Sequence, residues 1–217
     1  PVDASKHSAT VIVMHGLGDT AAGWIDGVMG FYAPAMPYAK FILPTAPTNP
    51  VTVNGGMPMP SWYDIEGFDG DRSTERCAGI EDSRATVEAL IKAEKDAGIA
   101  ANRIVVAGFS QGGAVSLFTG LQHAETLGGI LSKSGYMPLA GSIAVTDAAK
   151  DTPVLMLHGE ADPLVLPEWG VASFEAAKGF GVKDVKRKTY KGLEHSASPA
   201  ELRDAAEWLT TVVPALE

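Results

Sequence analysis

Ser110 stands at the centre of Gly108-Phe109-Ser110-Gln111-Gly112, between the apolar run Ile104-Val105-Val106-Ala107 and the helical stretch Gly113-Ala114-Val115-Ser116-Leu117-Phe118. The order is strand, sharp turn, helix. A serine on such a turn is held at the tip of the strand with its hydroxyl exposed, and the amide of the next residue is free to hold a negatively charged oxygen. The chemistry open to it is nucleophilic attack on an acyl carbonyl. The flanking glycines have a mechanical reason: strand and helix approach so closely that a Cβ at 108 or 112 is predicted to collide.

A serine hydroxyl is a weak nucleophile at neutral pH, so Ser110 needs a base and a group that orients the base. In the α/β-hydrolase arrangement these follow in the order Ser, then Asp or Glu, then His. The chain has five histidines. His7 and His15 precede the serine, and His123 lies about three helical turns beyond it, on the helix that leads away. His158 closes the apolar strand Val154-Leu155-Met156-Leu157, just before the best acid candidate. That leaves His195, in Lys191-Gly192-Leu193-Glu194-His195-Ser196. The acid candidate is Asp162, in the loop that leaves the same strand, where open α/β sheets gather catalytic groups. Glu160, Asp147 and Asp151 compete with it, but Pro163 fixes the turn directly after Asp162.

A second oxyanion amide must come from the loop after an early strand. Thr10-Val11-Ile12-Val13-Met14 is such a strand, and it runs into His15-Gly16-Leu17-Gly18-Asp19-Thr20, whose glycines let backbone amides turn inward. The Leu17 amide is the expected partner of the Gln111 amide. A phosphate cradle is the competing reading, but neither a G-x-G-x-x-G nor a lysine-bearing phosphate loop is present. His15 and His158 lack any metal-binding spacing and are expected to hydrogen-bond within their own strand-end turns. No cofactor and no metal are implied.

These residues need a frame. Strands at Thr10–Met14, Ile104–Ala107, Val154–Leu157 and roughly Lys186–Tyr190 alternate with helices over Gly79–Ala97 and about Pro199–Leu209. In the first helix Ile80, Val87, Leu90 and Ile91 recur at helical spacing. The pattern predicts an α/β fold with a mostly parallel central sheet, helices on both faces and no large cap. With 217 residues and 46% hydrophobic content, one core and a single domain over 1–217 are expected. The Pro- and Gly-rich segment from Pro44 to Pro60 cannot be a continuous helix and reads as an irregular excursion, either a substrate-contacting flap or a plain surface loop. Trp62, Met57, Met59, Met137 and Leu166, with Met29, are candidates for an apolar acyl channel, because methionine adapts to a flexible chain.

Five segments together resemble the acyl-protein thioesterase, carboxylesterase and lysophospholipase family. They are His15-Gly16-Leu17-Gly18-Asp19-Thr20, Pro60-Ser61-Trp62-Tyr63-Asp64, Gly108-Phe109-Ser110-Gln111-Gly112-Gly113, His158-Gly159-x-x-Asp162-Pro163-Leu164-Val165 and Gly192-x-x-His195-Ser196. The resemblance runs from about Thr10 to Leu209. It implies a cytosolic serine hydrolase that removes long acyl groups from S-acylated protein cysteines and also acts on lysophospholipids and simple esters. It implies Ser110, Asp162 and His195 as the triad, and Leu17 and Gln111 as the oxyanion amides. Two positions depart from the family pattern. Lys133 stands where an apolar strand residue is usual, and Glu194 sets a second carboxylate beside the base, which is expected to strengthen its hold on a proton and move the pH optimum upward.

A net charge of −9 argues against nucleic-acid partners and against electrostatic adsorption to an anionic membrane, so the acyl group must be held by apolar contact; the expected partners are S-acylated proteins or lysophospholipids as substrates, with room for transient membrane contact. The one cysteine, Cys77, excludes an intrachain disulfide and fits the reducing cytoplasm. No apolar run reaches the length of a membrane span and no signal peptide is visible. The sequence opens at Pro1, which leaves room for a preceding segment or lipid anchor. Three readings stand: a depalmitoylating thioesterase, a general carboxylesterase or lysophospholipase, and a binding protein of the same fold with an idle triad.

Overall fold

The computed structural model describes residues 6–67 and 75–216. Strand β1 (Ala9–Met14) leads to a helical stretch that begins as α1 (Ala22–Gly27), widens into a π turn over Val28–Tyr32 and closes as α2 (Ala33–Ala35). Strand β2 (Ala39–Ile42) and the short strands β3 (Thr48–Val51) and β4 (Met57–Pro60) follow. The remainder alternates α3 (Ile80–Asp96), β5 (Ile104–Phe109), α4 (Gln111–Gly120), β6 (Gly129–Lys133), β7 (Val154–Gly159), α5 (Pro167–Gly179), β8 (Val185–Tyr190) and α6 (Pro199–Val212).

Six strands form one sheet in the order β2-β1-β5-β6-β7-β8, and every neighbouring pair is parallel. Parallel strands with both faces covered should read as unbroken apolar runs. Strands β1 and β7 are buried at every position. The two-residue period sorts their side chains into two cores. Ile12, Met14, Ile104, Val106, Val154 and Met156 join one cluster with Val87 and Ile91 of α3 and Leu117 of α4. Val11, Val13, Val105, Ala107, Leu155 and Leu157 join the other, with Trp24 and Tyr32 from the first helical stretch and Leu202 and Leu209 of α6. Helix α4 is buried along its whole length, which is why it carries no polar face. Edge strand β8 exposes Lys186, Arg187 and Lys188, charges that discourage pairing with another chain.

The segment from Pro44 to Pro60 is more regular than its composition predicts. β3 and β4 pair antiparallel, with Thr48 opposite Pro60 and Pro50 opposite Pro58, around a turn made by Gly55 and Gly56 at positive φ. A two-stranded antiparallel ribbon bonds only alternate residues on each strand, so prolines fit where no ladder donor is needed. The expected helices differ from the observed ones only at their ends: Gly79 and Ala97 are the caps of α3, and α6 runs on to Val212.

Candidate active site

Ser110 joins β5 to α4 with φ 54° and ψ −120°, a backbone conformation that L-residues rarely adopt. The neighbouring glycines allow it. A Cβ on Gly108 would lie 2.2 Å from the carbonyl group of Gly112, and one on Gly112 would lie 2.4 Å from the Met14 carbonyl oxygen. The second collision is with the end of β1 rather than with the turn itself, so the elbow is wedged against the neighbouring strand. The Ser110 amide donates to the Lys133 carbonyl at 2.8 Å, which ties the elbow to β6 on its other side.

The loop after β8 brings His195 over the elbow, and the loop after β7 brings Asp162 behind it. Ser110 Oγ lies 2.9 Å from His195 Nε2, and His195 Nδ1 lies 2.7 Å from Asp162 Oδ2. Asp162 is buried, and its Oδ1 accepts the Leu164 and Val165 amides at 3.0 Å each. Burial alone would raise its pKa. The hydrogen bonds from His158 and His195, the field of His195 and the Leu164 amide outweigh burial and hold the carboxyl well below the usual carboxylate range. An ionised Asp162 can only accept, so His195 carries its proton on Nδ1 and presents Nε2 as acceptor to the Ser110 hydroxyl. The Phe109 ring backs the imidazole, with 4.9 Å between ring centroids. Glu194 faces solvent and makes no hydrogen bond or ion pair with His195 among the described residues.

Leu17 and Gln111 both line the cavity above Ser110. Among the described residues neither backbone amide donates to another group of the protein, as expected for one on a glycine turn and one at a helix N terminus. His15 fixes the first loop: its Nδ1 donates to the Gly16 carbonyl at 2.7 Å and its Nε2 accepts the Ala46 amide at 2.9 Å. Burial lowers its pKa, in keeping with a neutral ring that both donates and accepts. His158 donates from Nε2 to the Val165 carbonyl at 2.8 Å. Both histidines are thus spent on strand-end turns, and among the described residues no group of three His, Cys, Asp or Glu side chains is arranged to hold a metal ion.

The segment Ser61-Trp62-Tyr63 acts as a strap. Trp62 Nε1 donates to the His15 carbonyl, its amide donates to Gln111 Oε1, both at 2.9 Å, and Gln111 Nε2 donates to the Tyr63 carbonyl at 2.7 Å. Trp62 is therefore buried beneath the site instead of lining an acyl channel. The methionines also lie elsewhere. Met57 and Met29 are each 61% exposed, Met59 takes the Asn54 amide on the β3–β4 ribbon, and Met137 is buried in the core beside Ser173, whose hydroxyl accepts its amide. Leu166 is the N-cap of α5. None of these five predicted residues, nor Met29, lines the cavity over the serine. That cavity, about 210 Å³, is walled by Leu17, Ile65, Tyr136, Leu164, Val165 and Trp169, with Ser110 and His195 at its reacting end. The adaptability of methionine says what could hold an acyl chain but not where the fold points it. Position carries the better signal: Tyr136, Leu164 and Val165 lie in the loops that leave the carboxyl ends of β6 and β7, where ligands of parallel sheets bind.

Residues 2–213 match the phospholipase/carboxylesterase family profile. The chain is 46% identical to acyl-protein thioesterase 1 of Gibberella zeae, over 97% of this chain and 93% of that protein. It is 41% identical to acyl-protein thioesterase 1 homolog 1 of Dictyostelium discoideum, over 98% and 94%. Among solved structures, SOBER1 of Arabidopsis thaliana superposes with a TM-score of 0.85 at 31% identity, covering 95% of this chain and 99% of that one. Acyl-protein thioesterase 2 of Zea mays superposes with a TM-score of 0.83 at 30% identity, covering 95% and 94%.

Proposed function

Because this chain belongs to the phospholipase/carboxylesterase family, we propose that it is a serine hydrolase of long-chain acyl thioesters on protein cysteines; the relatives it resembles across nearly its whole length are named acyl-protein thioesterases. The observation that carries the reading is the continuous Asp162–His195–Ser110 hydrogen-bond chain, at 2.7 and 2.9 Å, opening onto an apolar cavity. Both apolar cores share the one six-stranded sheet, so the chain is read as a single catalytic domain.

The reaction runs in two acyl transfers. His195 Nε2 takes the Ser110 proton as Oγ attacks the acyl carbonyl, and Asp162 stabilises the imidazolium that forms. The Leu17 and Gln111 amides receive the developing oxyanion; one such donor typically contributes about 10²–10³ in kcat. His195 then gives its proton to the leaving cysteine sulfur, and the acyl group remains as an ester on Ser110. A water deprotonated by His195 attacks that ester, releases the fatty acid and restores the serine. The acyl chain is held by Ile65, Val165, Leu164, Tyr136 and Trp169 through apolar contact, consistent with a protein of net charge −9 that has no electrostatic attraction to anionic lipid.

Among the described residues no helix is long and apolar enough to cross a membrane. The net charge of −9 supports only transient contact with lipid-anchored substrates, and a single buried cysteine suits the reducing cytoplasm. The family description favours a second reading, hydrolysis of oxygen esters such as lysophospholipids by the same residues. Measuring kcat/KM on an S-palmitoylated cysteine peptide and on a lysophospholipid of the same acyl chain decides between them. Preference for the peptide supports the thioesterase, and preference for the lipid replaces it. Failure of Ser110 to react with a fluorophosphonate would return the binding-protein reading.

A further inference from the structure

Helix α6 opens with Ser198 and Glu201 spaced as in a capping box, in which the serine oxygen accepts the third amide and the acidic side chain reaches back to the serine amide. Only half of the box forms. The Glu201 amide donates to Ser198 Oγ at 3.1 Å, but the Glu201 side chain turns inward. It is fully buried, and neither carboxylate oxygen has a hydrogen-bond partner among the described residues. A carboxylate in that setting needs a compensating charge.

Lys133, the departure from the family pattern at the end of β6, is the buried cation on the same side of the sheet, only 1% exposed. Its Nζ donates to the Tyr32 hydroxyl at 3.2 Å and sits 3.8 Å from the centroid of the Trp24 ring. Both rings belong to the apolar cluster that α6 joins through Leu202. The Lys133 carbonyl receives the Ser110 amide, so its backbone is part of the elbow. From its ammonium an aromatic stack runs to the base: Trp24 lies 5.3 Å from Phe109, and Phe109 lies 4.9 Å from His195.

We propose that Lys133 and Glu201, buried in the same cluster without a direct hydrogen bond to each other, are a through-space charge pair that positions His195 by holding the first turn of α6, into which the His195 loop runs, near the strand end that carries the elbow. Burial pushes the Lys133 ammonium down and the Glu201 carboxyl up, and the field of each opposes the shift in the other. The other titratable groups that face Glu201 are Tyr32 on the π turn, His158 at the end of β7, Asp162 in the loop beyond it, Tyr190 on β8 and Asp204 on α6 itself. Among these described groups Lys133 is the one amine, the rest being phenols, carboxyls and one histidine. Replacing either partner strands the other, whereas replacing both by neutral side chains of similar volume removes the strain.

The inference rests on the reading of Ser110, His195 and Asp162 as the triad. Its test compares the full chain with Glu201→Gln, Lys133→Met, the double variant and Ser110→Ala on a p-nitrophenyl ester, with kcat and KM measured separately. Each single variant is expected to lower kcat about tenfold with KM nearly unchanged, as misplacement of a catalytic group does. The double variant is expected to lose less than the product of the two single losses. Wild-type kcat in both single variants, whatever their melting temperatures, overturns the proposal, and so does a double variant whose loss equals that product. Should Glu201→Gln fail to fold, Glu201→Asp, which keeps the charge but withdraws it, replaces it: a kcat loss with unchanged KM supports the proposal and wild-type kcat overturns it. Ser110→Ala separates two failures. If it turns over normally the triad reading has failed; if it is inactive while the other variants match wild type, only the charge pair has.

Discussion

The Gln111 side chain receives the Trp62 amide at 2.9 Å and returns a hydrogen bond to the Tyr63 carbonyl at 2.7 Å. The residue whose backbone amide faces the oxyanion position is thus anchored by its side chain to a segment nearly fifty positions away, 49 for the first bond. The elbow is held from three sides: by β1 at Gly112, by β6 at Ser110 and by this strap.

Gln111→Ala keeps the backbone amide but strands buried polar groups on the strap. A loss of about 1–3 kcal/mol in unfolding free energy is expected from each group left unpaired. Urea denaturation measures it, and a change within about 0.5 kcal/mol, the range of an ordinary surface substitution, would show the strap to be slack.

Gly108→Ala sets a Cβ 2.2 Å from the Gly112 carbonyl group, backbone that cannot yield without moving the elbow. Loss of soluble, active protein is expected. Gly179→Ala, at the exposed end of α5 with nothing within 4 Å of the new Cβ, is the control. It should fold and gain up to about 0.5–1 kcal/mol from lower unfolded-state entropy. Equal behaviour of the two in solubility and thermal melts would remove the steric account of the elbow.

Asp162→Asn preserves shape but lets His195 adopt the wrong tautomer, and kcat should fall by about 10⁴ with the fold intact. The folded pKa of Asp162 lies below the unfolded value, so the ionised form contributes stability that is fully present above the unfolded pKa, about 3.9, and is lost as pH falls toward the folded pKa. The variant lacks that contribution. Its unfolding free energy should therefore decline less than that of wild type between pH 7 and pH 3, and an equal decline would show that Asp162 is not held ionised by its partners.

Ile65→Trp narrows the cavity wall away from Ser110 and His195. Activity on long-chain esters should drop while acetyl ester hydrolysis persists, as read from kcat/KM across a chain-length series. A uniform loss at every length would place the acyl chain elsewhere.

How much of this was legible in the sequence follows the range of the forces involved. The elbow is a local steric problem, five residues between a strand and a helix, and its glycines and serine announce it. The unbroken apolar runs of β1, β5 and β7 announce a parallel sheet, because both faces of such strands are buried. Chain order then singled out Asp162 and His195, and the fold brings both within hydrogen-bonding reach of the serine's line. The cavity wall is not legible in Met57, Met59, Met137, Leu166 and Trp62, since side-chain type does not reveal which way a residue faces once a strap or ribbon folds over. The burial of the Glu201 carboxylate is equally hidden. Its spacing from Ser198 reads as an ordinary capping box, and only the packing of α6 onto the sheet leaves the carboxylate buried and outside that box. Local sterics and periodicity act over a few residues and are written in the sequence, whereas contacts between distant segments, which set the cavity and its supporting charges, exist only once the sheet has closed.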